Sequence, residues 1–128
     1  MENREQQLKK ILPEIEGNKP SDSVNESFQN DVLRPILKFQ NELIIQYFEH
    51  FLVENKIEFA LLKHSHKITK VHDLFKTNIQ FKQFYMGFIV AYFTPTNFDF
   101  YIQNKKEVNK RIIAMLIERI CSQLESIK

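Results

Sequence analysis

Glycine is almost missing from this chain: Gly17 and Gly87 are the only two among 128 residues, against an ordinary share of about 7%. That scarcity excludes glycine-rich phosphate loops and dinucleotide fingerprints, which need several glycines close together. It also weighs against an all-β fold, because tight hairpins use glycine for positive φ. Cysteine occurs once, as Cys121, so there is no intramolecular disulfide, and a reducing cytosol is the expected setting. Long hydrophobic runs are absent too. The longest nearly unbroken one, FYMGFIVAYF at 84–93, has 10 residues, whereas a membrane span needs about 20. It reads as a buried core helix. The opening MENREQQLKK carries no apolar segment after its charges, so export is not expected and the localisation reads as cytoplasmic, with no membrane partner.

What is present describes a globular domain: 43% hydrophobic, 12% aromatic and 27% charged residues, with 12 phenylalanines. The length is that of one domain, which buries enough surface for a core without disulfides or metals. The net charge of +2 is too small to imply nucleic acid by itself. Its distribution is uneven. Residues 1–55 carry 6 basic and 10 acidic side chains, and residues 56–128 carry 12 and 6. The simplest consequence is that the halves pack together and neutralise each other; the sharper one is a basic surface for an acidic partner.

The hydrophobic spacing predicts an all-α domain over 1–128 of six or seven helices, with 35–54, 79–93 and 105–126 forming the core. Residues 1–22 form an N-terminal helix and loop, free to attach loosely. That helix, 2–16, carries Leu8, Ile11, Leu12 and Ile15 on one stripe; Pro13 bends or shortens it, and Gly17 stops it. Residues 18–23 are a loop. Ser23 with Glu26 has the capping-box spacing for a helix from Val24. A boundary near Asp31 precedes the 35–54 helix, with Pro35 in its first turn. Ile36, Leu37, Leu43, Ile44, Tyr47, Phe48, Phe51 and Leu52 give this helix an apolar arc so wide that it reads as central. Asn55-Lys56 breaks it. Ser65 caps a helix to Thr77, with Ile68, Val71 and Phe75 inward. Residues 79–93 are apolar nearly all round, with Gly87 permitting close approach of another backbone. Thr94-Pro95 starts a helix to Gln103, and Asn104 with Glu107 caps the last one.

Three stretches, LRPILKFQNEL at 33–43, GFIVAYFT at 87–94 and NKKEVNKRIIAMLIER at 104–119, resemble a small uncharacterised all-helical bacterial family often labelled "glyoxalase". The resemblance spans the chain from about Phe28 onward and offers no catalytic motif to transfer. The label implies small-molecule binding or glyoxalase-like lyase activity. Glyoxalase I proteins themselves present metal ligands from βαβββ modules, and no residue here maps onto those ligands.

The residues themselves offer little catalytic machinery. Of His50, His64, His66 and His72, three fall in the cluster 63-KHSHKITKVHD-73. Metal ligands on one helical face want i,i+3 or i,i+4 spacing, but His66 and His72 are about 120° apart on a helix. Lys63, Lys67, Lys70 and Lys76, with Lys56, crowd the same segment and repel a cation. No metal or cofactor is therefore expected. The lysines read as a solvated basic face; nucleic acid is a weaker use of the 56–82 segment, because Phe75, Phe81, Phe84 and Tyr85 fall at core spacings rather than on the surface. Cys121 has no histidine in register, and no G-x-S-x-G occurs.

Polar residues on apolar arcs are the most unusual feature. Arg119, Asn109 and Gln123 fall within the inward arc of the last helix, and Gln40 and Asn41 within that of the 35–54 helix. A guanidinium buried without acceptors costs several kcal/mol, on the order of the whole stability of a domain. Arg119 must therefore find a partner from the 25–45 segment, with Asp31 and Glu42 as candidate carboxylates and Gln40 behind them, or else line an anion pocket or a subunit interface. Taken together, the sequence points to a non-enzymatic interaction or regulatory module that self-associates as a homodimer or meets a protein partner.

Overall fold

The computed structural model describes residues 2–15 and 23–127, and among them every regular element is helical. The elements are α1 (Arg4–Ile11), α2 (Val24–Phe28), α3 (Arg34–Glu54), α4 (His64–Thr77), α5 (Ile79–Val90), α6 (Pro95–Gln103) and α7 (Lys105–Cys121). A π-turn, Gln29–Leu33, joins α2 to α3 without a break, so the seven segments trace six continuous rods. The predicted all-α fold of six or seven helices is what forms.

Local chemistry explains most boundaries. Asn3 and Gln6 cap α1 reciprocally, and Pro13 shortens rather than bends it, because the residue before a proline is pushed out of helical φ/ψ. Leu12 is extended accordingly. Gly17 and the 18–22 loop lie outside the described residues. Ser23 Oγ accepts from the Glu26 N–H at 3.3 Å, starting α2 where expected. The boundary near Asp31 is the π-turn: Arg34 N–H reaches back to the Gln29 carbonyl, and the wider turn accommodates Pro35, whose ring has no N–H to give and crowds the carbonyl four residues back.

Helix α3 ends at Asn55-Lys56 as expected. Ile57 N–H reaches the Leu52 carbonyl and Lys56 N–H the Val53 carbonyl, a Schellman pair that places Lys56 at φ 55°. Residues 59–61 form one 3₁₀ turn. Thr94 and Asn97 cap α6 reciprocally over Pro95. Two cap assignments differ. Lys63, not Ser65, precedes α4; Ser65 sits inside the first turn, where its carbonyl accepts from the Thr69 hydroxyl. Asn104 does not cap α7 through its side chain; the amide turns back to the Phe100 carbonyl and closes α6 instead.

Helix α7 supplies Val108, Ile112, Leu116 and Ile120 to the core, all fully buried. It packs against α3, α4, α5, α6 and the π-turn, so α7, rather than the 35–54 helix, is the hub. Helix α3 packs between α5 and α7. Its buried row is Ile36, Leu37, Gln40, Ile44, Phe48 and Leu52, narrower than the arc read from sequence. Leu43 is outside it.

Candidate functional site

Two seams flank α3. On one side α3 and α5 run antiparallel, so rows at i, i+4, i+8 face each other: Phe39, Leu43 and Tyr47 on α3, with Phe84, Phe88 and Tyr92 on and just beyond α5. Phe39 meets Tyr92 edge-on at 5.6 Å, Tyr47 stacks on Phe84 at 3.9 Å, and Phe84 on Phe88 at 5.9 Å. Beneath this ladder the Tyr85 hydroxyl donates to the Ile44 carbonyl at 2.6 Å. Burial pushes the Tyr85 phenol far above its ordinary range, with Tyr47 adding to the rise. Tyr47 is raised by burial and by Glu54.

The ladder is only half covered. Phe39 is 44% exposed, Leu43 50% and Phe84 46%. The 79–93 segment is therefore not buried all round: Phe81, Tyr85 and Ile89 face the core, while Gln80, Gln83, Phe84, Gly87 and Ala91 face water. Phe84 leaves the predicted core for this reason. Gly87 is also corrected. Among the described residues, nothing outside its own helical turns lies within 4 Å of where its Cβ would be, so no other described element requires a glycine there. The sequence signal was legible: that outward row of α5 carries no charge in a chain that is 27% charged.

On the other side, α3 meets α7 through polar groups. Arg119 Nη1 donates to Asn41 Oδ1 at 3.2 Å. Asn41 Nδ2 donates to Gln123 Oε1 at 3.0 Å, and Gln123 Nε2 returns to Asn41 Oδ1 at 2.8 Å and to the Arg119 carbonyl at 2.9 Å. Arg119 is half-buried as expected, but its partner is an amide. Neither Asp31 nor Glu42 reaches it; both are exposed, because the π-turn carries Asp31 outward and Glu42 sits one step round α3 from Asn41. Gln40 does not stand behind Arg119 either. It is buried on the α5 side, where Nε2 donates at 3.1 Å to the Phe88 carbonyl, one of the acceptors a helix end leaves unpaired. Asn109 pairs apart from the seam, accepting from the Tyr101 hydroxyl at 2.6 Å. Burial pulls the Arg119 guanidinium below its ordinary range, Glu118 opposes that, and Arg34 adds to the fall.

The remaining candidates scatter. Lys63 and Lys76 are exposed, Lys67 and Lys70 half-buried, and the Lys67 ammonium sits 5.6 Å over the Phe59 ring. Lys76 lies about 140° round α4 from Lys63, so the basic face is Lys63, Lys67 and Lys70 without it. Phe75, Phe81 and Tyr85 are buried and offer no ring to a base. No group of three His, Cys, Asp or Glu among the described residues could hold a metal ion, and no helix among them is long and apolar enough to cross a membrane. Burial raises the Cys121 thiol. Helix α1 roofs a cleft of about 540 Å³ whose walls include Leu8, Val32, Tyr92 and Asp31. Arg4 fastens it by donating to the Phe93 carbonyl at 2.7 Å and to the Ala91 carbonyl.

Comparison with protein-family models, curated proteins and solved structures returns no match.

Proposed function

We propose that this chain is a non-catalytic interaction module that acts as a homodimer in a reducing cytosol, joined through the α3/α5 face. The observation that carries this reading is the half-covered aromatic ladder on an uncharged helix row. Phe39, Leu43 and Phe84 each leave about half a side chain in water, and with Tyr47, Phe88 and Tyr92 they present roughly 400 Å² of apolar surface. A standard interface buries about 800 Å² per partner, roughly 60% of it apolar. The patch therefore approaches what one half of a dimer core requires. A second copy is the fitting occupant because the outward row of α5 carries no charge. Two such rows meet about a two-fold axis without like-charge repulsion, whereas the lysines of α4 would repel their own image. Gly87, which costs α5 about 1 kcal/mol relative to alanine, then lets a partner helix come close.

Sedimentation velocity over about 1–200 μM tests this. The expected result is a dimer that Phe84→Glu converts to monomer with an unchanged helical spectrum. A wild-type chain that stays monomeric throughout overturns it. Metal-dependent turnover of methylglyoxal with glutathione would overturn the non-catalytic half.

A further inference from the structure

Arg119 is held as a binding group is held. Its carbonyl and one of its guanidinium N–H groups are tied into the Asn41–Gln123 amide pair, which fixes the side chain's direction. A guanidinium has five N–H donors, and among the described residues only one of them is used. Arg119 borders two adjoining hollows of about 260 and 410 Å³ between the start of α3 and the end of α7. Both hollows are also lined by Arg34, and the second by Lys38. Leu37 and Met115 give the first an apolar floor. Glu118 borders the first and Glu14 the second, yet neither pairs with Arg119 or Lys38. Arg119 and Arg34 thus border both hollows and Lys38 the second, and among the described residues neither Arg119 nor Lys38 has a carboxylate partner there.

We infer that Arg119 and Lys38, beside Arg34, form a site for a small organic oxyanion, a phosphate ester or a carboxylate, whose apolar part rests on Leu37 and Met115. The Arg119 fork suits two oxygens of one oxyanion, and its fixed orientation lowers the ordering cost of binding. Lys38, exposed at the rim of the second hollow, adds a point charge. The site lies on the α7 side of α3, away from the α5 ladder, so it stands independently of the dimer reading.

Inorganic phosphate and succinate, titrated separately into ¹⁵N-labelled full chain, separate the two oxyanion sources. The Arg119 Nε–Hε resonance should shift and saturate with Kd between about 0.1 and 10 mM for at least one of them. Arg119→Gln should weaken binding tenfold or more at an unchanged melting temperature, and Lys38→Gln several-fold. Lys110→Gln, exposed on another side of α7, should leave it unchanged. If Arg119→Gln impairs folding, Lys38→Gln carries the test, because Lys38 is exposed and makes no hydrogen bond or ion pair among the described residues. Shifts that stay linear with both probes, or an affinity that Lys38→Gln leaves untouched, would overturn the site.

Discussion

Helix α3 turns an aromatic row toward α5 and a polar corner toward α7, and the two seams differ in what each leaves unfinished. Against α5 the contact is mostly aromatic and aliphatic, with two buried hydrogen bonds, Gln40 to the Phe88 carbonyl and Tyr85 to the Ile44 carbonyl, beneath the ladder. It stops with three large side chains half in water. Against α7 the contact is a closed amide pair that leaves a guanidinium with unused donors. The first seam is short of apolar area and the second of negative charge. Each deficit is the ground of one proposal: a second copy for the ladder, whose α5 row carries no charge, and a small oxyanion for the guanidinium. Stability should accordingly be concentrated in the first seam, and alignment of the helices in the second.

The largest expected effect breaks the aromatic seam from below. Phe81 is fully buried among the rings of Tyr47, Phe48, Phe51, Phe75 and Tyr85, at centroid distances of 4.7 to 6.3 Å. Phe81→Ala should cost about 3–5 kcal/mol in chemical denaturation. Tyr85→Phe, in the same seam, should cost about 1 kcal/mol at neutral pH through the lost bond to Ile44. Its signature is in alkali. The native phenol is held protonated above its ordinary value of 10.0, so its contribution is complete below pH 10 and falls as the unfolded chain ionises. The fall is about 1.4 kcal/mol per pH unit, and Tyr85→Phe should remove that part of the slope.

The polar seam should respond less. Asn41→Ala opens the amide pair and should cost about 1 kcal/mol. Arg119→Leu strands no buried acid, so its cost should stay well below the roughly 3–5 kcal/mol of a broken buried ion pair. An equal loss from Arg119→Leu and Phe81→Ala would erase the contrast between the seams. The smallest effect sharpens it. Gly87→Ala should raise monomer stability by about 0.5–1 kcal/mol, since no other described element opposes the added Cβ. In a concentration series by sedimentation the same substitution should weaken association.

Backbone punctuation was the most legible part of the sequence. Thr94-Pro95 and Asn55-Lys56 mark real boundaries because proline geometry and capping act within one turn, whereas the boundary expected near Asp31 and Pro35 is a π-turn inside one continuous rod. A helical wheel also placed Arg119, Gln123 and Asn41 on inward arcs correctly. It could not say which side chain stands across the gap. Asn41 rather than Asp31 or Glu42 meets Arg119, since the π-turn resets the phase of everything before Arg34. Gln40, one residue from Asn41, serves the opposite neighbour because about 100° of rotation separates them. The aromatic surface was hidden for another reason. Phenylalanine at i,i+4 spacing looks alike whether the row it forms is covered by this chain or by another. The missing charge on the α5 row is the sequence feature on which the proposed second copy rests.

The central claim is that the α3/α5 ladder is where two copies meet. An isotope-filtered NOESY on a mixture of ¹³C-labelled and unlabelled chains reports contacts between copies alone. The account predicts intermolecular NOEs from the Leu43 methyls and the Gly87 α-protons to the Phe84 and Phe39 rings. Filtered NOEs arising instead from α4 or α6, with none from Leu43 or Phe84, would contradict it.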